Sequence, residues 1–521
     1  MCGIAGAFHP DSLSDAACDA VRRMQRALAH RGPDGDGWFQ GRRIALAHRR
    51  LSIIDLSGGA QPLAGEREGT LAIVNGEIYN YVELRDELIA AGAQLRTHSD
   101  SEVLPFLYDR HGEAFVHRLR GAFAAAIWDE SRQQLTLLRD RLGEKPLLYA
   151  TGDDGTVYFA SEIAALAASG AIPVEPDFDA INHYFHFRFV PEPATPLKRV
   201  RKLRAGHLLT LSPGEPVPEP RRYWDVSAIP ALSGNPVEIL RADLDEVGRI
   251  IVRADVPIGV ALSGGLDSSV VASLAVRHCQ RKVTAFSVGY EGRPACDERN
   301  DALAFARHLG IDLVEVELSA ATVVSGFESL VGDMAEPIAD VAGSSYRALM
   351  QAANRAGIKV MFQGQGADEL FWSYGWMREA LAENLLRDSG AGSLALFSDS
   401  LREKLRAPPV GSPRAFAQWC VQAGGLVDAM SRFQRLRQDD PEQALFWDVA
   451  RPMDRIAHAV SALAGESLRP HATLHQARGA FRGREEGESW RRALVRHILA
   501  TYLLENGISQ ADRYSMAAGV E

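Results

Sequence analysis

Cysteine is scarce in this 521-residue chain: five residues, at Cys2, Cys18, Cys279, Cys296 and Cys420, with no C-x-x-C pair among them. An odd, scattered set of this kind excludes a disulfide scaffold and a thiolate zinc centre, and fits free thiols in a reducing compartment. Basic charge is not in excess either. Lys plus Arg number 57 against 67 Asp plus Glu, a formal net charge of −10, which argues against a general nucleic-acid binder. No apolar run approaches the roughly 20 residues that span a bilayer, and no basic segment followed by an apolar one opens the chain. A cytoplasmic protein with no membrane and no nucleic-acid partner is expected. There is no fixed-period repeat and no long low-complexity tract.

The hydrophobic share of 46% and charged share of 24% are those of a folded globular protein, and the length calls for at least two domains. Closely spaced prolines in PGEPVPEP (213–220) disfavour both helix and central strand and suggest a boundary. Upstream, LAIVNGEIY (71–79), AFAAAIWD (122–129) and QLTLLRD (134–140) read as strands, and 81–91 as an amphipathic helix. Downstream the rhythm becomes strand (257–262), helix (268–279), strand (283–290), helix (297–309), strand (312–318), which implies a doubly wound parallel sheet. From about 376 to 505 the pattern is helical.

Between the first strand and helix of this second part lies SGGLDSS (263–269). Gly264 and Gly265 let the backbone approach an anion without Cβ interference, and the helix that follows points its free N–H groups at the loop. Ser263, Ser268 and Ser269 add hydroxyl donors, and Asp267 offers an oxygen suited to magnesium. The loop lacks the lysine of G-x-x-x-x-G-K-[ST] and is similar to the pyrophosphate loop of enzymes that split ATP into AMP and pyrophosphate. A second element, GQGADELF (364–371), follows the apolar strand IKVMF (358–362); its Asp368 and Glu369 suit metal–pyrophosphate binding at the mouth of a sheet. Taken alone it would be only an acidic helix cap.

The chain opens MCGIAGAF. If Met1 is removed, Cys2 becomes a terminal residue whose own α-amino group, with a pKa of roughly 8, can take up the thiol proton. Nucleophile and base then sit on one residue. Asn75 and Gly76, after an apolar strand, could supply a side-chain and a backbone N–H to an oxyanion.

MCGIAGAF, HRGPDG (30–35), HRRLSIIDLSGGAQPL (48–63), NGEIYNY (75–81), SDSE (99–102), RDRLGEKPLLY (139–149) and FASEI (159–163) resemble the class II, N-terminal-nucleophile glutaminase domain of the glutamine-dependent asparagine synthetases. SGGLDSS, FSVGYEG (286–292), GQGADELF and DRYSMAAGVE (512–521) resemble their synthetase domain. The resemblance implies an αββα sandwich over residues 1–212, then an ATP-pyrophosphatase domain with a doubly wound parallel sheet and a helical C-terminal region over 221–521. It makes Cys2 the glutamine-attacking nucleophile and Asn75 with Gly76 the oxyanion hole. Arg50 would clamp the glutamine α-carboxylate, and Glu77 with Asp100 its α-amino group. ATP would be held by Leu262, Ser263, Gly264, Gly265, Asp267, Ser268, Val288, Gln363 and Gly364, with magnesium on Asp267 and Asp368. Gln365, Asp368 and Glu369 would face the adenylated acceptor, by default aspartate. The reaction implied is glutamine hydrolysis, carboxylate adenylation by ATP, and amide formation by ammonia carried through a dry passage; homodimerisation is left open.

Three features depart from the family pattern. Gln365 stands where the family carries an acid, and a carboxamide cannot act as a general base. Trp372-Ser373-Tyr374 replaces the usual Gly-Gly-Tyr. The family's R-x-P-F-L-D and the helical stretch after it would follow Glu521, so the resemblance expects further synthetase residues beyond it. The first two favour an alternative acceptor: a natural product, sugar acid or peptide carboxylate. Ring-closing relatives lack the nucleophilic cysteine that this chain keeps, and a non-catalytic scaffold is hard to reconcile with the Cys2, Arg50, Asn75, Asp100 set.

Overall fold

A computed structural model describes residues 2–295, 297–340, 342–388 and 484–521. The expected helical region falls partly outside the described residues, as do Met1, Cys296 and Cys420. Two compact units are distinguished: residues 1–367 and 499–521 belong to the first, and 368–388 and 484–498 to the second.

The first unit begins with two six-stranded antiparallel sheets. One runs in the order Val200–Lys202, Leu148–Thr151, Val157–Ala160, Gly3–Phe8, Ile44–Arg50, Gly35–Gln40. The other runs Arg221–Arg222, His207–Leu211, Gln134–Arg139, Gly121–Asp129, Thr70–Ile78, Leu63–Ala64. Period-two alternation explains how the strands are used. Ile4 and Phe8 of the first strand, with Ile44 and Leu46 of its neighbour, enter a core shared with Ile73, Ala124, Ala126 and Trp128 of the second sheet. Ala5, Ala7, Ala45 and Ala47 point the other way, against Ala17, Val21 and Met24 of the helix Asp15–Ala27. On the far side, Leu84 and Leu88 of Tyr81–Ala90 and Leu104 and Leu107 of Val103–His111 pack on Val74, Ala125 and Ile127. This is the expected αββα sandwich. PGEPVPEP lies between the strands His207–Leu211 and Arg221–Arg222, which pair with each other.

Downstream, four parallel strands lie in the order Asp312–Leu318, Val283–Tyr290, Ile258–Ala261, Val360–Phe362. The chain winds outward twice from Ile258–Ala261 and then returns to its other side, so strand order reverses there. In doubly wound sheets ligands bind at this reversal, beyond the carboxyl ends of the strands. SGGLDSS follows Ile258–Ala261, and Gln363-Gly364-Gln365 follows Val360–Phe362.

The sandwich and this sheet share buried contacts. Leu51 and Ile53 pack with Val256, Ile258, Val360 and Met516. Buried ions join them too: Arg31 reaches Asp512 (3.0 Å), Lys145 reaches Glu521 (3.1 Å), and Lys202 reaches Glu336 (3.0 Å) and Glu505 (2.8 Å). Charges this buried persist only when paired, and removing one partner strands the other. The segment Leu499–Ile508 is a ten-residue π-helix that runs into the helix Ser509–Ala517. Its i→i+5 bonding is rare in proteins and recurs at functional sites.

The second unit contains residues 368–370 of the short helix Ala367–Leu370 and the helices Gly375–Asp388 and Trp490–Ile498, with the Trp490 indole N–H donating to Asp388 (2.6 Å). Among the described residues no helix is long and apolar enough to cross a membrane.

Candidate functional site

Cys2 precedes the wholly buried strand Gly3–Phe8 and is itself buried. Its carbonyl accepts a bond from Arg31 Nε (3.1 Å), whose guanidinium also reaches Glu162 (2.9 Å) and Asp512. The neighbouring strand pairs Gly3 with Arg49, which brings Arg50 beside Cys2. Arg50 in turn donates to the carbonyl of Asp55 (2.5 Å), at the bend of the LSIIDLSGG loop. Gly59 leaves room for the guanidinium: a Cβ there would lie 2.6 Å from Arg50 Nη2 and would displace it. Gln61 at the loop's end accepts the Val74 N–H (2.6 Å), tying the loop to the strand that carries Asn75, Gly76 and Glu77. Gly76 has φ +130°, and a Cβ would stand 2.0 Å from the Ala122 carbonyl, so no side chain fits.

These elements line an open pocket bounded by Cys2, Arg50, Gly76, Glu77 and Asp100, with Gln61, Ser99 and Glu521 among the others. Asn75 is fully buried directly before Gly76, and neither polar atom of its side chain has a hydrogen-bond partner. A buried amide left unsatisfied costs on the order of 1–3 kcal/mol, an arrangement that suits a ligand oxygen.

The electrostatics follow from burial. Desolvation pushes the Cys2 thiol up. Asp100 is pushed up to about 6 by burial, despite accepting the Ile78 N–H (2.8 Å). Glu77 is driven well above the usual carboxylate range by burial, with Glu521 and Asp100 adding to it. Burial would raise Glu521 as well, but Lys145 overrides it and holds the carboxyl at about 2. The cavity thus offers one guanidinium and a cluster of carboxylates short of cations, a match for an α-amino acid zwitterion beside a thiol.

At the parallel sheet, Gly264 has φ +86° and a Cβ there would lie 2.7 Å from Asp301. Ser263 Oγ and Ser268 Oγ are 3.1 Å apart, and the Gly265 N–H donates to Ser263 Oγ (3.2 Å). The helix Leu266–His278 begins at the loop with Asp267 in its first turn. Gly364 abuts the loop so closely that a Cβ would fall 2.7 Å from the Ser268 amide nitrogen. Leu262 is buried, its N–H bonded to the Phe286 carbonyl (2.8 Å), and Val288 lies on the adjacent strand. The structure therefore brings Leu262, the serine–glycine loop, Asp267, Val288, Gln363 and Gly364 to one sheet edge. Gln365 Nε2 donates to the Tyr346 hydroxyl (3.0 Å). In the second unit Asp368 accepts from Ser373 Oγ (2.5 Å), Glu369 accepts from the Tyr374 hydroxyl (3.2 Å), and Trp372 takes φ +62°.

Sequence reasoning missed Gln61, Ser99, Lys145 and Glu521 as parts of the Cys2 site. All four lie in quoted motifs, Glu521 in DRYSMAAGVE, but nothing in the sequence tied that motif to the site of Cys2, more than 500 residues away.

Comparison with known proteins adds the lineage. Residues 1–224 match the glutamine amidotransferase domain family, and residues 240–521 match the asparagine synthase family, over more than half of the chain. The chain belongs to the asparagine synthase family. Asparagine synthetase [glutamine-hydrolyzing] 1 of Bacillus subtilis is 36% identical over 386 residues, 73% of this chain and 60% of the relative. An asparagine synthetase [glutamine-hydrolyzing] of Sandersonia aurantiaca is 32% identical over 391 residues, 73% of this chain and 68% of the relative. A protein of Gibberella zeae named amidase chry2 is 34% identical over 443 residues, 78% of this chain and 64% of the relative. The chain spans about 60% of the length of the first curated asparagine synthetases it matches. As a member of the asparagine synthase family it has the two-part architecture that its sequence resembles.

Proposed function

We propose that this protein is a glutamine-dependent, AMP-forming amidotransferase. The observation that carries the reading is the cavity joining Cys2, Arg50, Gly76, Glu77 and Asp100, with the unpartnered buried amide of Asn75 directly before Gly76. Glutamine fits it in one orientation. Its α-carboxylate meets the Arg50 fork, its ammonium meets Glu77 and Asp100, and its side-chain amide reaches Cys2. The thiolate attacks the amide carbon, and the oxyanion takes N–H donation from Asn75 Nδ2 and the Gly76 backbone. Ammonia leaves, and water releases glutamate from the thioester. The α-amino group of Cys2, once Met1 is removed, serves as base and then as acid.

In the second half-reaction SGGLDSS cradles the pyrophosphate of ATP with N–H groups of the loop and the helix start. Asp267, in the first turn of that helix, would hold magnesium through one carboxylate and substrate phosphate, the donor set that cation prefers; among the described residues no cluster of three or more His, Cys, Asp or Glu forms a cage of its own. The metal supplies charge neutralisation as pyrophosphate departs. A carboxylate becomes its acyl-adenylate, and ammonia displaces AMP. Aspartate is the acceptor that the relatives' names support. A second reading, another carboxylate, is favoured by the neutral Gln365–Tyr346 pair. The test measures glutamate and pyrophosphate release separately. Wild type is expected to hydrolyse glutamine while Cys2→Ala does not; equal rates would end the glutaminase reading.

A further inference from the structure

On the strand Ile44–Arg50, Ile44 and Leu46 are buried between the two sheets, and the two-residue period carries that face on to His48. A 1% exposed imidazole thus stands where the row calls for an aliphatic side chain. Buried polar groups persist where they have a partner, and here it is the Val74 carbonyl oxygen, 3.3 Å from His48 Nε2. A carbonyl can only accept, so Nε2 carries the proton. Burial keeps the ring neutral, with its pKa pushed down to about 3.

Val74 needs such a donor because its neighbouring strand ends short of it. Leu63–Ala64 pairs with Ala72 and Leu71, and Pro62 before it has no N–H to extend the ladder. Side chains take over: Gln61 Oε1 accepts the Val74 N–H (2.6 Å), and His48 donates to the Val74 carbonyl. Both grips are braced. Gly37 lies opposite His48, and a Cβ on it would stand 1.7 Å from the Gln61 carbonyl oxygen. Gln25 Nε2 donates to the carbonyls of Gly37 (2.8 Å) and His48 (3.2 Å). The clamped residue leads straight into Asn75 and Gly76. Alternate residues of an antiparallel strand turn their N–H and C=O to one edge, and pairing with Gly121–Asp129 runs on through Glu77. The edge held at Val74 is therefore the edge that Gly76 presents two residues later, where it lines the Cys2 pocket. Gln61 lines that pocket as well; His48 is not among its lining residues.

We propose that His48, together with Gln61, positions the oxyanion hole for glutamine hydrolysis: the two side chains fix the Val74 peptide and, through it, the Asn75 and Gly76 donors. His48 is a positioning residue that touches no reacting atom. The inference rests on the amidotransferase reading above, and its test separates the two. Glutamate release from glutamine is measured on the full chain, and Cys2 alkylation by iodoacetamide is followed by peptide mass spectrometry. His48→Leu removes the donor at similar size, and His48→Gln keeps an N–H at the reach of Nε2. In His48→Leu the kcat for glutamine should fall about ten- to hundredfold, the scale set by misplacing or losing an oxyanion donor. Its KM should stay within about twofold, because the charged contacts of Arg50, Glu77 and Asp100 are untouched. Alkylation forms no oxyanion and should keep its wild-type rate. His48→Gln should recover most of the kcat. Gln61→Met, which deletes the acceptor for the Val74 N–H, should lower kcat in the same way and carries the test if His48→Leu does not fold. An unchanged kcat overturns the proposal, as does a loss expressed in KM or shared by Cys2 alkylation, or one that His48→Gln does not relieve. Wild type that releases no glutamate overturns the amidotransferase reading instead.

Discussion

Around Cys2 the cavity wall carries one guanidinium and three carboxylates; among the described residues the hydrogen-bond partners of the Gln365 side chain are a phenol and a carboxamide. Both regions lie in one compact unit and share buried ion pairs, so fold and dielectric do not account for the contrast. The Cys2 side of the comparison carries an electrostatic signature suited to a zwitterion: Glu77 and Asp100 are raised by burial, while Lys145 holds Glu521 down.

The hardest way to break the comparison is to remove the chemistry on one side at a time. Cys2→Ala should lower glutamine-dependent amide formation at least about a thousandfold, since the Ser99 and Ser101 hydroxyls that also line the cavity are bonded to Asp100 and lack a terminal amine of their own to activate them. Ammonia-dependent pyrophosphate release should persist. The reciprocal variant, Asp267→Ala, should lower pyrophosphate release by about a hundredfold or more while glutamate release from glutamine continues. Parallel glutamate and pyrophosphate assays check both. If either variant silences both activities with the protein folded, the two regions are not the separate chemical sites proposed.

Next in size is Arg50→Ala. The guanidinium faces the cavity and is anchored by the Asp55 carbonyl, so its loss removes a charged bidentate contact worth about 1.5–3 kcal/mol. The KM for glutamine should rise about ten- to hundredfold, with a smaller change in kcat. Arg50→Lys should recover only part of this, because an ammonium is a point charge and not a fork. A kcat-only effect would place Arg50 outside substrate binding.

Much of this was legible in the chain before folding, for a physical reason. The apolar runs of Thr70–Ile78 and Gly121–Asp129 and the mostly apolar Val283–Tyr290 are local signals. Cys2, Arg50, Asn75 and the SGGLDSS loop sit inside short segments whose own conformation sets their role. Glu521 was not legible as a neighbour of Cys2, because it arrives there through backbone bonds to Lys359 and Met361 on a strand far along the sequence. The π-helix was not legible either. Its apolar spacing reads as ordinary helix in LATYLLENGI, and the i→i+5 bonding that sets Gly507 beside Gln365 has no local signal. Nor could composition foretell that Tyr346 would occupy the Gln365 carboxamide.

The smallest expected effect is a pH dependence confined to the charged side of the comparison. Asp100, pushed up to about 6 by burial, is largely protonated below that pH in the empty cavity. Glutamine's ammonium pairs with the ionised form, so binding below pH 6 must release a proton. The KM for glutamine should be flat above about pH 7 and rise about tenfold by pH 5. Asp100→Asn should raise the KM and flatten its profile. The sign for stability is opposite. A carboxyl whose folded pKa lies above its unfolded value of about 3.9 is penalised once ionised, so its contribution to stability falls as pH rises from about 4 through 6. Asp100→Asn should therefore raise the thermal midpoint of the glutamine-free protein at pH 7.5 and leave it little changed near pH 4.5. A variant that lost both glutamine affinity and stability at neutral pH would show that Asp100 supports the fold, and that the carboxylate cluster is not held in strain for its ligand.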